Sequence, residues 1–264
     1  MWLERAGTTH QGAGLQRLNA QTGAGPRLLP VLATPDSHLE LETLWQLCAQ
    51  LQQLGYAVMV LDASAREGAH APGLAQVLQT HSLPLQATLD ASAADAALLP
   101  VLPAALGLRR LAQQGGGAAA LRRLVTPFRA YGALLLYAPP ALAAPLLQGS
   151  ACTPLALTGA GAQGMVACYL QLKHMALHAG LRCTVAAMTG AEDARRTAQT
   201  REALQALARS ASQMLGLAPH TTQIRTDQPR ELRRLALQLL EGGCANTTTA
   251  HHNDYDHPCI DHSH

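Results

Sequence analysis

Apolar residues along this chain alternate between two rhythms. Short unbroken runs are separated by segments in which leucine or alanine returns every three or four positions. Residues 28–32, Leu-Leu-Pro-Val-Leu, form the first run and predict a strand. Leu39, Leu44, Leu47, Leu51 and Leu54 then recur near helical spacing, with Asp36 or Ser37 available as a cap and Gly55 as a stop. Residues 57–61 predict a second strand, ending in Asp62. A polar loop and a short helix fill 63–80. The stretch 81–112 is mixed, with strand-like runs at 85–89 and 97–102. Gly115-Gly116-Gly117 precedes a helix carrying Arg122 and Arg123. Strands follow at 133–137 and 153–158, a helix at 165–179 closed by Gly180, and a strand at 181–188. A long helix at 191–215, a short strand at 222–225 and a last helix at 230–241 complete the pattern. Strands alternating with helices of this length build right-handed βαβ units. The expectation is an α/β, doubly wound, mostly parallel sheet with helices on both faces.

Residues 130–172 contain no charged residue and no histidine. Pro139, Pro140, Pro145 and Pro154 interrupt that stretch, and no helical run reaches the roughly 20 apolar residues that cross a bilayer. Two central strands, buried on both faces, with their connections account for it better. The 264 residues fit one domain at 26–242, with a polar, Gly-rich leader at 1–25 around a short helical candidate at 11–19 and a disordered His-rich tail at 243–264. With 48% hydrophobic and 14% charged residues, the chain can bury a large core. A net charge of +2 and no basic stripe argue against nucleic-acid binding, and 3% aromatics leave few stacking platforms. The six cysteines form no Cys-x-x-Cys pair, and the expectation is small buried hydrophobes without a disulfide framework. Met1-Trp2-Leu3-Glu4-Arg5 lacks the apolar stretch of a signal peptide, so a reducing cytoplasm is expected.

The most specific spacing lies in residues 28–64. A strand, a loop, a helix, a glycine and a second strand lead to Gly55-Tyr56-Ala57-Val58-Met59-Val60-Leu61-Asp62-Ala63-Ser64. This resembles the opening of the MinD/ParA group of P-loop ATPases, in particular the flagellar-number regulator FlhG. That family carries a Lys-Gly-Gly-Val-Gly-Lys-Thr loop between the first strand and helix. Counted back without a gap, the loop falls on Pro35-Asp36-Ser37-His38-Leu39-Glu40-Leu41. Phosphate binding there needs glycines that let N–H groups converge, a lysine against the phosphates and a Thr hydroxyl on Mg²⁺. Here no glycine is present, Pro35 stands at the signature lysine, Glu40 at the catalytic lysine and Leu41 at the Mg²⁺-binding Thr. The family's second strand ends with a further Asp, replaced by Ser64, and its Asp-x-Pro-Ala-Gly motif reads Tyr137-Ala138-Pro139-Pro140-Ala141. Asp62 alone remains, either as a metal-site carboxylate or as a polar strand end. The resemblance thus implies a pseudo-ATPase: no catalytic residue, no cofactor, and ATP with Mg²⁺ only if the altered site retains binding.

A second pointer lies in His10-Gln11-Gly12-Ala13-Gly14-Leu15-Gln16-Arg17-Leu18. It resembles the N-terminal Asp-Gln-Ala-x-x-Leu-Arg segment of FlhG proteins, which is thought to stimulate the partner GTPase FlhF. Gln11, Leu15, Arg17 and Leu18 carry over as partner-binding residues, while His10 and Gln16 depart from the pattern. The bland alternative is a frayed terminus with a chance match. The resemblance implies a bacterial, cytoplasmic protein of flagellar biosynthesis acting through protein contacts, at the inner face of the membrane at most.

Other signals compete. Gly159-Ala160-Gly161-Ala162-Gln163-Gly164 is a literal G-x-G-x-x-G between a strand and a helix, the context of a dinucleotide loop. It falls late in the chain, and no acidic residue follows about 20 positions on to hold a ribose. A tight turn in an Ala/Gly-rich chain is the alternative. The tail offers His251, His252, His257 and Cys259, ligands suited to Zn²⁺, Ni²⁺ or Cu²⁺, against the alternative of a polar tail. His174 and His178 share one helix face beside Lys173, and no Glu follows His174 to make a zincin motif. No Gly-x-Ser-x-Gly nucleophile elbow is present. The last helix sets Arg230, Arg233 and Arg234 against Leu232, Leu235, Leu239 and Leu240, which fits peripheral membrane contact or a core-packed helix with a basic outer face.

Overall fold

A computed structural model describes residues 25–34, 38–67, 72–80, 99–190 and 194–244. The segment with Gln11, Leu15, Arg17 and Leu18, the loop residue Pro35, the 85–89 run and the tail with His251, His252, His257 and Cys259 lie outside the described residues.

The first strand, β1 (Arg27–Leu32), leads into α1 (His38–Gln53) and β2 (Val58–Asp62). Then come α2 (Leu74–Thr80), β3 (Val101–Pro103), α3 (Ala105–Gln113) and α4 (Gly117–Val125). A 3₁₀ turn at Thr126–Phe128 precedes β4 (Ala133–Ala138), α5 (Pro140–Leu147), β5 (Leu155–Gly159) and α6 (Ala162–Ala179). The chain closes with β6 (Thr184–Thr189), α7 (Ala194–Leu215), β7 (His220–Arg225) and α8 (Pro229–Gly242). The described strands form one seven-stranded sheet in the order β3-β2-β4-β1-β5-β6-β7, with every ladder parallel.

Period-two alternation explains why the central strands are apolar throughout. Leu29 and Val31 of β1 and Ala133, Leu135 and Tyr137 of β4 face the core beneath α1 and α8. Leu28 and Leu32, with Leu134, Leu136 and Ala138, face the opposite core beneath α2 to α7. A strand covered on both sides has no solvent face to make polar. The amphipathic last helix fits the core-packed alternative. Leu232, Leu235, Leu239 and Leu240 are buried, while Arg230, Arg233 and Arg234 are exposed. No described helix is long and apolar enough to cross a membrane.

Three features depart from expectation. The helix α5 lies inside a stretch expected to hold only strands and connections. Pro140 sits at its first turn, where a missing N–H costs nothing, so the Pro139-Pro140 pair starts the helix instead of excluding it. The helix α3 emerges from the mixed stretch, with Leu108 and Leu111 buried and Arg109 and Arg110 exposed. The third departure corrects the cysteine reading. Cys152 and Cys244, 92 residues apart with Cα atoms 5.0 Å apart, form a disulfide. Cys244 also exchanges two backbone hydrogen bonds with Leu28, so the chain after α8 is tied to the start of β1. Cys48, Cys168 and Cys183 are free and buried, as expected.

Candidate functional site

The crossover after β1 leads to one side of the sheet, and the crossover after β5 leads to the other. Since β1 and β5 are neighbours, the crevice outside their carboxyl ends is the topological switch point, where open α/β sheets bind ligands. Val31, Tyr137 and Asp62 lie abreast on β1, β4 and β2, one row below that edge.

Glu40 occupies the first turn of α1 and is only 4% exposed. Its Oε2 accepts a hydrogen bond from the Thr34 backbone N–H at 3.1 Å. A carboxylate suits this place for two reasons. The first-turn N–H groups lack helical partners, and the helix dipole favours negative charge. Both features draw phosphate to such turns in other proteins. Here the first turn carries a carboxylate of its own, bonded to the Thr34 N–H. Leu41 is partly buried against the core under α1, and its side chain offers no oxygen to a metal.

Asp62 serves a local turn. Its Oδ1 accepts from Ser64 N–H at 2.8 Å, Ser64 Oγ at 2.6 Å and Ala65 N–H at 3.3 Å. Such an Asx turn caps the strand end and fits the polar strand-end alternative. Tyr137, at the position of the family's Asp, is 2% exposed. Its phenol is pushed up to about 12, first by burial and then by the Glu40 and Asp62 carboxylates. It therefore stays protonated at neutral pH and can donate a hydrogen bond but cannot take a metal as an anion. The site is poor in positive charge. Between Arg27 and Arg66 the sequence holds no Lys or Arg, and between Arg129 and Lys173 there is again none.

Buried residues that sequence spacing did not single out lie beside Ala33, Thr34 and Glu40. Gln171, from the middle of α6, donates its Nε2 to Ala33 O at 3.2 Å and Thr34 Oγ1 at 2.9 Å. Its buried Oε1 has no hydrogen-bond partner among the described residues. Cys168, one turn earlier, is pushed up to about 12, first by burial and then by Glu40. Thr43 Oγ1 lies 2.9 Å from both Leu39 O and Met188 Sδ, with one hydroxyl hydrogen shared between them, which ties α1 to β6. Gln171 from α6 and Glu40 from α1 thus hold Ala33 and Thr34 from two helices at once. Nearby, Glu67 accepts from Ala75 N–H and Gly107 N–H, both at 2.8 Å, and so caps α2 and α3 together.

The glycine loop is resolved into separate roles. Gly159 ends β5 and Gly161 is the extended N-cap of α6. A Cβ on either would meet nothing within 4 Å. A Cβ on Gly164 would lie 2.8 Å from Thr158 Oγ1 and 2.9 Å from Gly159 O. The third glycine is thus needed for close helix–strand packing, as in dinucleotide loops, while the first two border open space.

No protein-family model matches the chain, and no curated protein matches its sequence. Solved structures match its fold. Cobyrinic acid a,c-diamide synthase from Mycobacterium smegmatis, with bound ADP and magnesium, superposes with a TM-score of 0.51 at 16% identity. The match covers 82% of this chain and 94% of that one. A plasmid partition protein from Borrelia burgdorferi matches at 10% identity and a TM-score of 0.42, covering 82% of this chain and 97% of that one. With the parallel sheet and its helical layers, the first likeness establishes a MinD/ParA-like P-loop NTPase fold.

Proposed function

We propose that this protein is a pseudo-ATPase that uses a MinD/ParA-like scaffold for protein contacts and does not turn over ATP. One observation carries the reading. The Glu40 carboxylate is buried and accepts the Thr34 N–H just beyond β1. At an effective dielectric of about 20, a phosphate charge about 4 Å from that carboxylate is repelled by roughly 4 kcal/mol. That alone weakens binding by roughly a thousandfold. The loop offers no lysine to offset it, and Leu41 no hydroxyl for magnesium. The mycobacterial structure holds ADP and magnesium. On this reading the chain keeps the scaffold and carries a buried carboxylate beside the end of β1, which disfavours a phosphate there.

On this reading the resemblance to FlhG supplies the biology. The protein acts in flagellar biosynthesis, setting number or placement, and offers Gln11, Leu15, Arg17 and Leu18 to an FlhF-like GTPase. It works in the cytoplasm or at the inner face of the membrane. Steady-state GTP hydrolysis by such a partner, with the full chain and with residues 1–20 deleted, tests this. The full chain is expected to raise the rate and the deletion to remove the effect. Equal rates count against it.

A second reading rests on the open space beside Gly159 and Gly161 at the N-terminus of an 18-residue helix without an acidic residue in its first turn. There a nucleotide would use the glycine loop without the β1–α1 turn. Binding of NAD or ATP that survives Glu40→Lys but is lost in Gly161→Val would favour it.

A further inference from the structure

The outer face of α6 carries a feature that the proposed function leaves unused. Met165, Cys168, Leu172 and Met175 bury the inner face of this helix, so its outer face is held on a rigid support. His174 and His178, one turn apart, stand on the outer side, half-buried and exposed respectively. Their rings are 4.3 Å apart between centroids and tilted by 42°. Val166, Leu170 and Leu177 on the same helix are also exposed.

We propose that His174 and His178 form a chelating pair for a borderline divalent transition ion, Cu²⁺, Ni²⁺ or Zn²⁺. Imidazole nitrogen is the protein donor such ions favour, bonding at about 2.0–2.1 Å for zinc. Residues four apart on a helix are surface neighbours, so two imidazoles can converge on one ion without moving the backbone. The ring centroids are already 4.3 Å apart, close enough for one nitrogen of each ring to reach a shared ion once the rings turn toward it. Among the described residues no third His, Cys, Asp or Glu joins the pair. Two protein nitrogens alone leave further positions on the ion for water or for another ligand.

The test uses the full chain, because His251, His252, His257, His262 and His264 of the tail can also take metal. Cu²⁺ alone is titrated to saturation into isotopically labelled protein, and paramagnetic broadening of the backbone amides is mapped. Broadening centred on residues 170–180 is expected, and it should vanish in both His174→Ala and His178→Ala while the remaining spectrum is unchanged. Zinc calorimetry on the same proteins should show one class of site weakened by about tenfold or more in each variant. Broadening confined to residues 245–264 overturns the proposal, as does broadening of the helix that persists in the variants.

Discussion

Glu40→Ala separates a carboxylate that organises the turn from one that merely happens to lie there. The substitution removes the acceptor for the Thr34 N–H in a site where the side chain is almost fully covered. A hydrogen bond to a charged group contributes about 1.5–3 kcal/mol, and a carboxylate in the first helical turn about 0.3–1 kcal/mol. Alanine returns a few tenths of a kcal/mol through its helix propensity. The net expectation is a loss of about 2–3 kcal/mol. For a domain of this size that lowers Tm by roughly 4–12 °C. Glu40→Gln keeps an oxygen acceptor at the strength of a neutral bond, so its loss should stay near 1 kcal/mol. Urea unfolding followed by far-ultraviolet circular dichroism measures both. An alanine variant as stable as the parent, or more stable, would show that the carboxylate is tolerated and not used, and the account of the turn would fail.

Gly164→Ala is expected to destabilise by about 1–3 kcal/mol, because its Cβ presses on Thr158 Oγ1 and the Gly159 backbone. Gly161→Ala, with open space around it, should change stability by less than about 1 kcal/mol in the same urea assay. Burial pushes the thiols of Cys48, Cys168 and Cys183 up from 9.0 to about 12. Their folded values lie above the unfolded ones, so the stability they contribute is intact below pH 9 and is lost as pH rises toward 12. Urea midpoints should therefore fall between pH 9 and 11, and these thiols should react with a thiol reagent only on unfolding. Cys152→Ser with Cys244→Ser opens a 92-residue loop and should lower stability by about 2–4 kcal/mol, read by urea titration of both proteins under non-reducing conditions.

The parts of the fold legible in the sequence were those governed by local rhythm. The β1–α1–β2 opening follows from an apolar run, helical leucine spacing and Gly55, whose φ of 90° ends α1 as a side chain would resist doing. Glu40 was visible as a charge reversal in a loop of known spacing. Its bond to Thr34 was not, because spacing says nothing of where a side chain turns. Gln171 meets Ala33 across 138 residues, and Cys152 meets Cys244 across 92. Such contacts are made by the sheet order, which brings β5 and its helix beside β1. The helix α5 was hidden for a different reason. Proline breaks helices from within but starts them well, and one letter carries both meanings.

Isothermal calorimetry of the full chain with ATP and Mg²⁺, paired with phosphate release from the same sample, bears most directly on the Glu40 carboxylate beside β1. No heat of binding at submillimolar nucleotide and no release above background are predicted. Submillimolar binding with turnover that persists in Gly161→Val would contradict the account, since the nucleotide would then not depend on the glycine loop and would have to be accommodated beside the Glu40 carboxylate.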